Sequence, residues 1–346
     1  MKQAVKKAPK AAAPDNALQP KRMNPVVKKF KRDWQLHLLI LVPVAYLIIF
    51  RYVPMYGAQI AFRSYSVKGG IWGSEWVGLK WFKRFLGMPD FWQIVGNTFT
   101  LSFYSLMVSF PLNILMALLI NVIRNERYKK TVQTISYIPH FISMVVMIAI
   151  LNQVFSPVSG LYGAFYHMLH DLSNWLNSVL GTNLSWGGQG LPKDILSSPN
   201  AFPHIYVWSG IWQNLGWSTI IYLSALSAVS GELHEAAEID GASRWKRVIH
   251  IDLPTITPTI GIMLILRCGS LISVGFEKAF LMQNSLNISA SEIISTYVYK
   301  KGLRGTGKDQ SYGTAVNLLE NVVNCALLLL TNWISKKASR DEVSLF

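Results

Sequence analysis

Long apolar runs alternate with short charged loops along most of this chain. A helix needs about 20 apolar residues to cross a bilayer. Six runs approach that length, near residues 36–56, 97–121, 134–155, 205–229, 258–280 and 313–334. Arg51 and Pro54 interrupt the first run near its outer end. This pattern predicts an all-α membrane protein with six transmembrane helices.

The composition agrees with this prediction, because 51% of the residues are hydrophobic and only 15% are charged. The net charge of +15 is compatible with a nucleic-acid partner, but the distribution of Lys and Arg argues against one. Twenty of these 33 residues lie before residue 36, between 123 and 130, in the 229–257 loop or after 333. By the positive-inside rule, both termini and the 229–257 loop are therefore predicted to be cytoplasmic.

The charged and broken stretches divide the chain into four predicted parts. Residues 1–35 form a basic tail, predicted to be disordered, cytoplasmic and weakly attracted to anionic membrane lipid. Residues 36–90 hold the first helix and an outer loop, residues 91–333 form the main transmembrane domain, and residues 334–346 form a cytoplasmic tail. Aromatic residues in the outer loop favour a belt at the membrane interface. They are Trp72, Trp76, Trp81, Phe82 and Phe85.

The longest outer segment, 156–203, is interrupted by glycine and proline residues. Within it, residues 161–180 predict a short amphipathic helix. Two interpretations of this segment are open: it receives a substrate-delivering protein, or it only packs over the ends of the membrane helices.

One charged segment, 235–254, lies between two long apolar runs. Its first part is rich in helix formers and carries an acidic face at i, i+3 spacing. That face consists of Glu232, Glu235 and Glu238. Gly241 predicts a turn, because glycine leaves helical dihedrals without steric cost. A second helix should follow and should end at Pro254. The segment is either a protein-docking surface or an ordinary loop whose charges mark the cytoplasmic side.

Fixed positions in this segment resemble the EAA loop of ABC importer permeases. They are Glu235, Ala236, Ala237, Gly241, Ile251, Leu253 and Pro254. In that family the loop is a pair of short cytoplasmic helices that docks into a groove on the ATPase subunit. The resemblance implies an ATPase-coupling role for Glu235, Ala236, Ala237, Asp240, Gly241, Leu253 and Pro254.

The chain beyond residue 91 resembles the transmembrane domain of type I, MetI-like ABC importers. It is most similar to the MalF-like carbohydrate permeases that serve complex or oligomeric sugars. The segments that carry this likeness are Tyr137–Ser143, Ile211–Gln213 with Gly216 and Trp217, Val274–Glu277 and Thr296–Tyr299. The resemblance implies import of a carbohydrate, expected to be an oligosaccharide, across the bacterial cytoplasmic membrane. An importer of an amino acid or phosphate is the alternative, whereas a channel or a membrane enzyme has no use for an ATPase dock.

The same resemblance implies the partners of the subunit. In this family two related permeases form the pore, two ATPases bind their EAA loops, and an extracellular lipoprotein delivers the substrate. ATP and magnesium are bound by the ATPase, so we expect no cofactor and no catalytic residue in this chain. A non-identical second permease is favoured over a homodimer. Closure of the ATPases should move the loops as levers and switch the pore between two states.

A polar stripe crosses the last apolar run, where polar groups are costly against lipid. The stripe consists of Asn317, Glu320, Asn321 and Asn324. It predicts either a lining for sugar hydroxyls or hydrogen bonds between helices. A second set in the fourth run is suited to a route for sugar rings, with packing or interface anchoring as the alternative. That set is Trp212, Gln213, Asn214 and Trp217.

Glu320 has a candidate partner one helix earlier. The helical rise places Arg267 and Glu320 at depths that differ by about 6 Å, within reach of an arginine side chain. We expect Glu320 either to pair with Arg267 or to bond directly to sugar hydroxyls. A fixed negative charge there would repel uronates, which favours a neutral or weakly charged saccharide.

Other patterns give no chemistry. Residues 302–309 nearly match the phosphate-binding loop G-x-x-x-x-G-K-[ST], but Asp309 replaces the hydroxyl residue that would hold magnesium. Cys268 and Cys325 fall within apolar runs and are interpreted as packing residues. We therefore predict no metal site and no enzymatic activity.

Overall fold

Helices make up most of the described chain, as predicted. The computed structural model describes residues 29, 32–188, 190–304 and 307–338. Most of the predicted tail 1–35 and the end of the tail 334–346 lie outside the described residues. So do Gly305 and Thr306 of the near-match to a phosphate-binding loop. The chain divides into two compact units, residues 1–57 and 58–346.

The first unit contains a helix of membrane-spanning character. Helix α1 (Trp34–Leu47) continues through a π-helical turn, Ile48–Tyr52, into the short helix Val53–Met55, and none of these segments has a buried residue. The stretch Trp34–Phe62 is 29 residues long and apolar enough to cross a membrane, which confirms the first predicted span. The π-helical turn lies directly before Pro54 and widens the helix where the proline ring would crowd a preceding carbonyl.

A two-stranded hairpin begins the second unit and was not predicted from the sequence. Strands β1 (Arg63–Ser66) and β2 (Gly70–Trp76) are antiparallel, with Arg63 opposite Trp76 and Ser66 opposite Gly70. Gly70 has φ +59°, which glycine adopts without strain.

Helix α2 (Lys80–Leu86) follows the hairpin and corrects the prediction of an aromatic belt. Trp81 and Phe85 are 4% and 2% exposed and belong to a core that includes Val298 and Tyr312. Only Trp72 and Trp76 of the predicted belt are largely exposed. Residues 58–90 therefore pack with the helices that follow, because their aromatic side chains supply part of that core.

The second and third apolar runs form one long helix and one bent pair. Helix α3 (Phe91–Val122) is long and apolar enough to cross a membrane, as predicted. The third run is α4 (Glu126–Tyr137), a short 3₁₀ turn and α5 (Met144–Val154), which bend by 99°. The third predicted run is therefore broken near its start, because Pro139 lacks the N–H that continues a helix and Ser143 caps a new one.

Helix α6 (Leu161–Leu180) is the amphipathic helix predicted for the outer segment, with the predicted bounds. Its polar side bonds to the loop that follows: Ser173 donates to the Trp186 carbonyl at 3.4 Å, and Asn177 donates to the Leu184 carbonyl at 2.7 Å. Its apolar side chains are exposed, including Leu161, Phe165, Met168 and Trp175.

Helix α7 (Phe202–Leu226) covers the fourth predicted run with 25 residues. It packs along α3 in two cores, one around Leu101 and Tyr206 and the other around Ala117 and Tyr222. Its Trp, Gln and Asn residues lower its hydropathy, so α7 is not among the helices apolar enough to count as a span.

Helices α8 (Gly231–Ile239) and α9 (Arg244–Cys268) contain the charged segment. Pro254 does not end a helix, contrary to our expectation. It lies inside α9 just after a π-helical turn, Val248–Asp252, where the Leu253 N–H donates to the Val248 carbonyl. The wider turn accommodates the proline ring, so the second helix of the charged segment runs unbroken into the fifth apolar run.

The fifth span also ends earlier than predicted. Helix α9 stops at Cys268, and residues 269–275 turn before α10 (Phe276–Met282). A Cβ on Gly269 would lie 2.9 Å from Cβ of Leu328 in the last helix, so glycine is needed for this close approach. Hydropathy did not reveal the break because the turn is itself largely apolar.

Short helices α11 (Ile288–Ser291) and α12 (Ile294–Val298) lead into α13 (Gly307–Ala338), which confirms the sixth predicted run. Within the described part of the chain, four helices are long and apolar enough to cross a membrane, and five spans result if the bent α4–α5 pair counts as one. Helix α7 has the length of a sixth.

Candidate functional site

The charged segment folds into two helices that meet at a tight turn. Ser230 caps α8 by accepting from the Glu232 amide at 3.3 Å, and Ser243 caps α9 by accepting from the Lys246 amide at 3.4 Å. Gly241 lies between the helices with φ +74°, a conformation that a side chain disfavours. Its N–H donates to the Glu238 carbonyl at 3.1 Å. The predicted helix–turn–helix is confirmed.

Two arginines hold this turn through Glu238. Its carboxylate lies 2.7 Å from Nη1 of Arg247 and 3.2 Å from Nη2 of Arg124. The hydrogen bond from Arg247, aided by the charge of both arginines, holds the pKa of Glu238 below its usual value. Because Arg124 lies two residues beyond the end of α3, Glu238 connects the loop to the end of a membrane helix. Glu238 was predicted on an acidic face, and neither arginine partner was predicted.

A second ionic contact joins the two helices of the segment. Asp252 is 2% exposed, and its Oδ1 lies 3.1 Å from Nε2 of His234. This contact falls outside hydrogen-bond geometry, but it is an ion pair whenever the imidazole is protonated. It links α8 to the π-helical turn of α9. The sequence analysis missed this pair as well.

The residues that the resemblance implicates separate into two groups. The group at the turn is exposed, apart from the half-buried Ala237. Its members are Glu235, Ala236, Ala237, Asp240 and Gly241. Ile239 beside them is 87% exposed. Leu253 and Pro254 lie instead inside α9. The residues at the turn are thus open to contact, whereas Leu253 and Pro254 form part of the long helix.

A cavity of about 490 Å³ lies between α3, α7 and the turn after α9. We call it the central cavity. Hydroxyl and amide side chains line much of it: Ser105, Ser109, Asn113, Gln213, Asn214 and Ser218. Tyr206 and Trp217 add aromatic surface, while Arg267 and Lys278 add positive charge. None of the described residues that line it is acidic. Of the four path residues predicted on α7, only Trp212 does not line it.

Lys278 is the buried charge of the central cavity. It is 5% exposed, and its Nζ donates to the Tyr206 carbonyl at 2.6 Å and lies 4.7 Å from the centre of the Tyr206 ring. Among the described residues, no carboxylate forms an ion pair with Lys278 or Arg267. The sequence analysis gave Lys278 no role, although a lysine inside an apolar run is a signal of function.

The three path residues that line the cavity also hold the bend between α4 and α5. Oδ1 of Asn214 lies 3.0 Å from Nδ1 of His140, and the Trp217 ring stacks on the His140 ring at 4.5 Å. Gln213 donates to the Ile142 carbonyl at 2.9 Å. Oε1 of Gln213 is buried and has no hydrogen-bond partner among the described groups.

The predicted stripe on α13 divides into two parts. Asn324 is 6% exposed, accepts from the Ile272 amide at 3.0 Å and donates to Oγ of Ser273 at 2.9 Å. Ser273 donates in turn to Oε1 of Glu320 at 3.1 Å. These contacts satisfy the turn after α9, as the hydrogen-bonding alternative predicted. The exposed members of the stripe are Asn317 and Asn321.

The predicted ion pair between Arg267 and Glu320 does not form in this structure. Glu320 is not among the described carboxylates that form ion pairs. Its Oε1 instead accepts a hydrogen bond from Ser273 in the turn after α9. Arg267 lines the central cavity, and no described member of the stripe does so. Arg267 lies in the last turn of α9 and lines the central cavity, whereas Glu320 bonds to the turn that follows α9, so a similar depth did not bring the two side chains together.

Replacing Asn324 by leucine is expected to destabilise the subunit, whereas the same change at Asn317 is not. Leucine at 324 leaves the Ile272 amide without its acceptor, which costs about 1–3 kcal/mol, while Asn317 is exposed. Thermal unfolding of the purified complex in detergent should show a lower midpoint for Asn324→Leu only. Equal midpoints would mean that the contacts at Ile272 and Ser273 are dispensable.

Comparisons with known proteins identify the family. The family described as binding-protein-dependent transport system inner membrane component matches residues 109–340. The chain belongs to this family. The permease is 40% identical over 311 residues to Protein LplB of Bacillus subtilis (strain 168), covering 90% of this chain and 91% of LplB. It is 38% identical over 323 residues to the polygalacturonan/rhamnogalacturonan transport system permease protein YteP of the same organism, covering 93% and 94%.

A solved structure shares the fold of this permease. It is a chain of a bacterial alginate ABC transporter in complex with an alginate pentasaccharide-bound periplasmic protein. The match has a TM-score of 0.75 at 33% identity and covers 93% of this chain and 100% of that chain. The predicted importer-permease family and its helical fold are therefore confirmed.

Proposed function

We propose that this permease imports an acidic oligosaccharide as one subunit of a binding-protein-dependent ABC importer. The observation that supports an acidic cargo is the positive charge of the central cavity. Arg267 and Lys278 line it, and no carboxylate is among its described lining residues. The hydroxyl and amide groups there suit sugar hydroxyls. The Trp217 ring suits the apolar face of a pyranose. A uronate would supply the counter-charge that the buried Lys278 lacks.

The names of two relatives support an acidic cargo. YteP is named for polygalacturonan and rhamnogalacturonan, and the solved transporters are named for alginate, an acidic polysaccharide. Relatives named for arabinooligosaccharides and for trehalose and maltose are only 25% and 26% identical. Our expectation of a neutral sugar rested on Glu320. That residue bonds to Ser273 and does not line the central cavity. We therefore replace the expected neutral sugar by an acidic one.

A matched pair of substrates tests the proposed cargo. A galacturonate oligomer and its fully methyl-esterified form have the same rings and hydroxyls but differ in charge. We expect proteoliposomes that contain the complete importer to take up the acid in preference to the ester. Preference for the ester would return the cargo to a neutral saccharide. If the importer took up an amino acid or phosphate and neither sugar, the proposal of a carbohydrate substrate would be wrong.

The proposed energy source is a partner ATPase that docks on the turn between α8 and α9. The exposed Ile239 and its acidic neighbours support docking there. The contact of Glu238 with the largely buried Arg247 makes the loop a lever on α9. Two such ATPases, each binding ATP and magnesium, and a second, homologous permease complete the proposed importer. An external substrate-binding lipoprotein is proposed to deliver the sugar, and both termini are proposed to be cytoplasmic.

Reversing the charge of Glu235 is expected to release the ATPase from the purified complex. Glu235 is exposed on α8, so the change leaves the fold intact but places a like charge or an unpaired charge in the interface. Glu235→Lys should lower ATPase co-purification by about tenfold or more. The control is Asp171→Lys, an exposed carboxylate on α6. Equal ATPase yields from the two variants would remove Glu235 from the docking surface.

A further inference from the structure

Two cavities meet where α3 ends beside the charged segment. The first, of about 350 Å³, is mostly apolar, with Leu115, Leu119 and Trp245 in its walls. The second, of about 380 Å³, is lined by charged groups of α4, α8 and α9. Both cavities are lined by Arg124 and Arg244. We call the two together the lipid groove, because they share wall residues; its apolar end is the first cavity and its charged end is the second.

The charged end of the lipid groove has an excess of positive charge. Its cations are Arg124, Lys129, Arg244 and Arg247, and its carboxylates are Glu238 and Asp252. Arg124 reaches Glu238, but both side chains are more than half exposed, so that contact is weak and open to competition. Lys129 and Arg244 form no ion pair with a described carboxylate. Even with His234 neutral, the cavity can accept a negatively charged group.

The apolar end has the position and chemistry of a membrane surface. Leu115 and Leu119 lie on the last turns of α3, within about 10 Å of its end at 1.5 Å per residue, and are 46% and 44% exposed. Trp245 is 63% exposed next to the basic residues, and tryptophan favours the boundary between acyl chains and headgroups. Because α3 is long and apolar enough to cross a membrane, acyl chains are expected to cover this surface.

We propose that the lipid groove binds one anionic phospholipid. Its phosphate lies between Arg124, Lys129 and Arg244, and an acyl chain runs along Leu119 and Trp245. Basic pockets next to membrane helices are suited to anionic headgroups, and the adjoining apolar cleft selects a lipid over a small anion. The bound lipid joins the end of α3 to the start of α9. It therefore braces the loop independently of the proposed cargo.

A pair of double variants tests this site in the complete importer. Lys129→Gln/Arg244→Gln removes two charges from the groove. The control Lys130→Gln/Lys246→Gln removes two charges from neighbouring exposed positions that line neither cavity. Native mass spectrometry would count retained phosphatidylglycerol and phosphatidylcholine with the same acyl chains. Inorganic phosphate serves as the competitor that lacks acyl chains.

We expect the wild-type complex to retain phosphatidylglycerol in preference to phosphatidylcholine. The groove variant should bind phosphatidylglycerol about thirtyfold more weakly, since each basic residue near the membrane surface contributes about 1 kcal/mol. The control should stay within about twofold of the wild type. Should the double variant fail to assemble, Arg244→Gln against Lys246→Gln is the single-site comparison, with about a fivefold effect.

Three results would overturn the proposal. Equal phosphatidylglycerol retention by the groove variant and its control would show that the named cations do not bind the headgroup. Equal retention of both lipids by the wild type would show that charge does not matter. Displacement of phosphatidylglycerol by inorganic phosphate alone would show a site for a free anion. None of these results depends on which solute the importer carries.

Discussion

Replacing Gly241 by proline is expected to abolish ATP-driven uptake while leaving the permease in the membrane. Gly241 has φ +74°, and its N–H donates to the Glu238 carbonyl at 3.1 Å. Proline can adopt neither this φ nor this hydrogen bond, so the chain between α8 and α9 must take another path. The exposed Ile239 would then leave the surface proposed to meet the ATPase. The apolar residues that form the membrane helices are unchanged in this variant, so insertion into the membrane should persist.

A comparison of alanine at Gly241 with alanine at Gly181 tests whether backbone strain lowers uptake only when it lies in the turn between α8 and α9. No atom lies within 4 Å of a Cβ built on Gly241 or on Gly181, and both residues have positive φ. Alanine at either position therefore costs about 1–2 kcal/mol of backbone strain without a clash. Gly241→Ala should reduce uptake and substrate-stimulated ATP hydrolysis in proteoliposomes more than Gly181→Ala. Wild-type uptake by Gly241→Pro would exclude the turn from energy coupling.

Local signals were sufficient for the long helices and for the turn at Gly241. Helices α3 and α13 follow runs of apolar residues, which a membrane helix requires over its whole length. Helix α6 follows its amphipathic period and ends at Gly181, whose φ of +65° closes the helix in the left-handed conformation. Each of these features depends on residues that are neighbours along the chain.

Features that depend on distant residues were not predicted. The break after α9 is held by Asn324, whose bond to the Ile272 amide joins residues 52 positions apart. The contact of Arg124 with Glu238 joins residues 114 positions apart. Hydropathy cannot reveal such contacts, because it averages over one segment. The end of the second helix at Pro254 was predicted wrongly for a different reason, because a π-helical turn lets the helix continue past proline.

The candidate substrate site was predicted in part. Three of the four residues predicted on α7, Gln213, Asn214 and Trp217, line the central cavity, and their contact with sugar stays a prediction. The charge of the cavity was missed, because Lys278 was given no role although it lies within the fifth predicted run. The charge of the cargo was predicted from Glu320, whereas Lys278 and Arg267 are the charged residues that line the central cavity. The proposed cargo changed from neutral to acidic for that reason.

Replacing Lys278 by methionine is expected to weaken transport of the acidic sugar and to spare the neutral one. Methionine removes the ammonium group but keeps an unbranched side chain of similar length. A hydrogen bond to a charged group contributes about 1.5–3 kcal/mol, so KM for a galacturonate oligomer should rise by roughly tenfold to a hundredfold. KM for the methyl ester should stay unchanged, because the ester has no carboxylate to pair with Lys278.

Two controls distinguish charge recognition from packing. Lys193→Met lowers the net charge equally at an exposed position and should leave both KM values unchanged. The thermal midpoint of Lys278→Met should not fall, because a buried ammonium without a counter-ion is itself costly. Equal losses with acid and ester, together with a lower midpoint, would assign Lys278 to packing against Tyr206. The acidic cargo would then have Arg267 as its support in the central cavity.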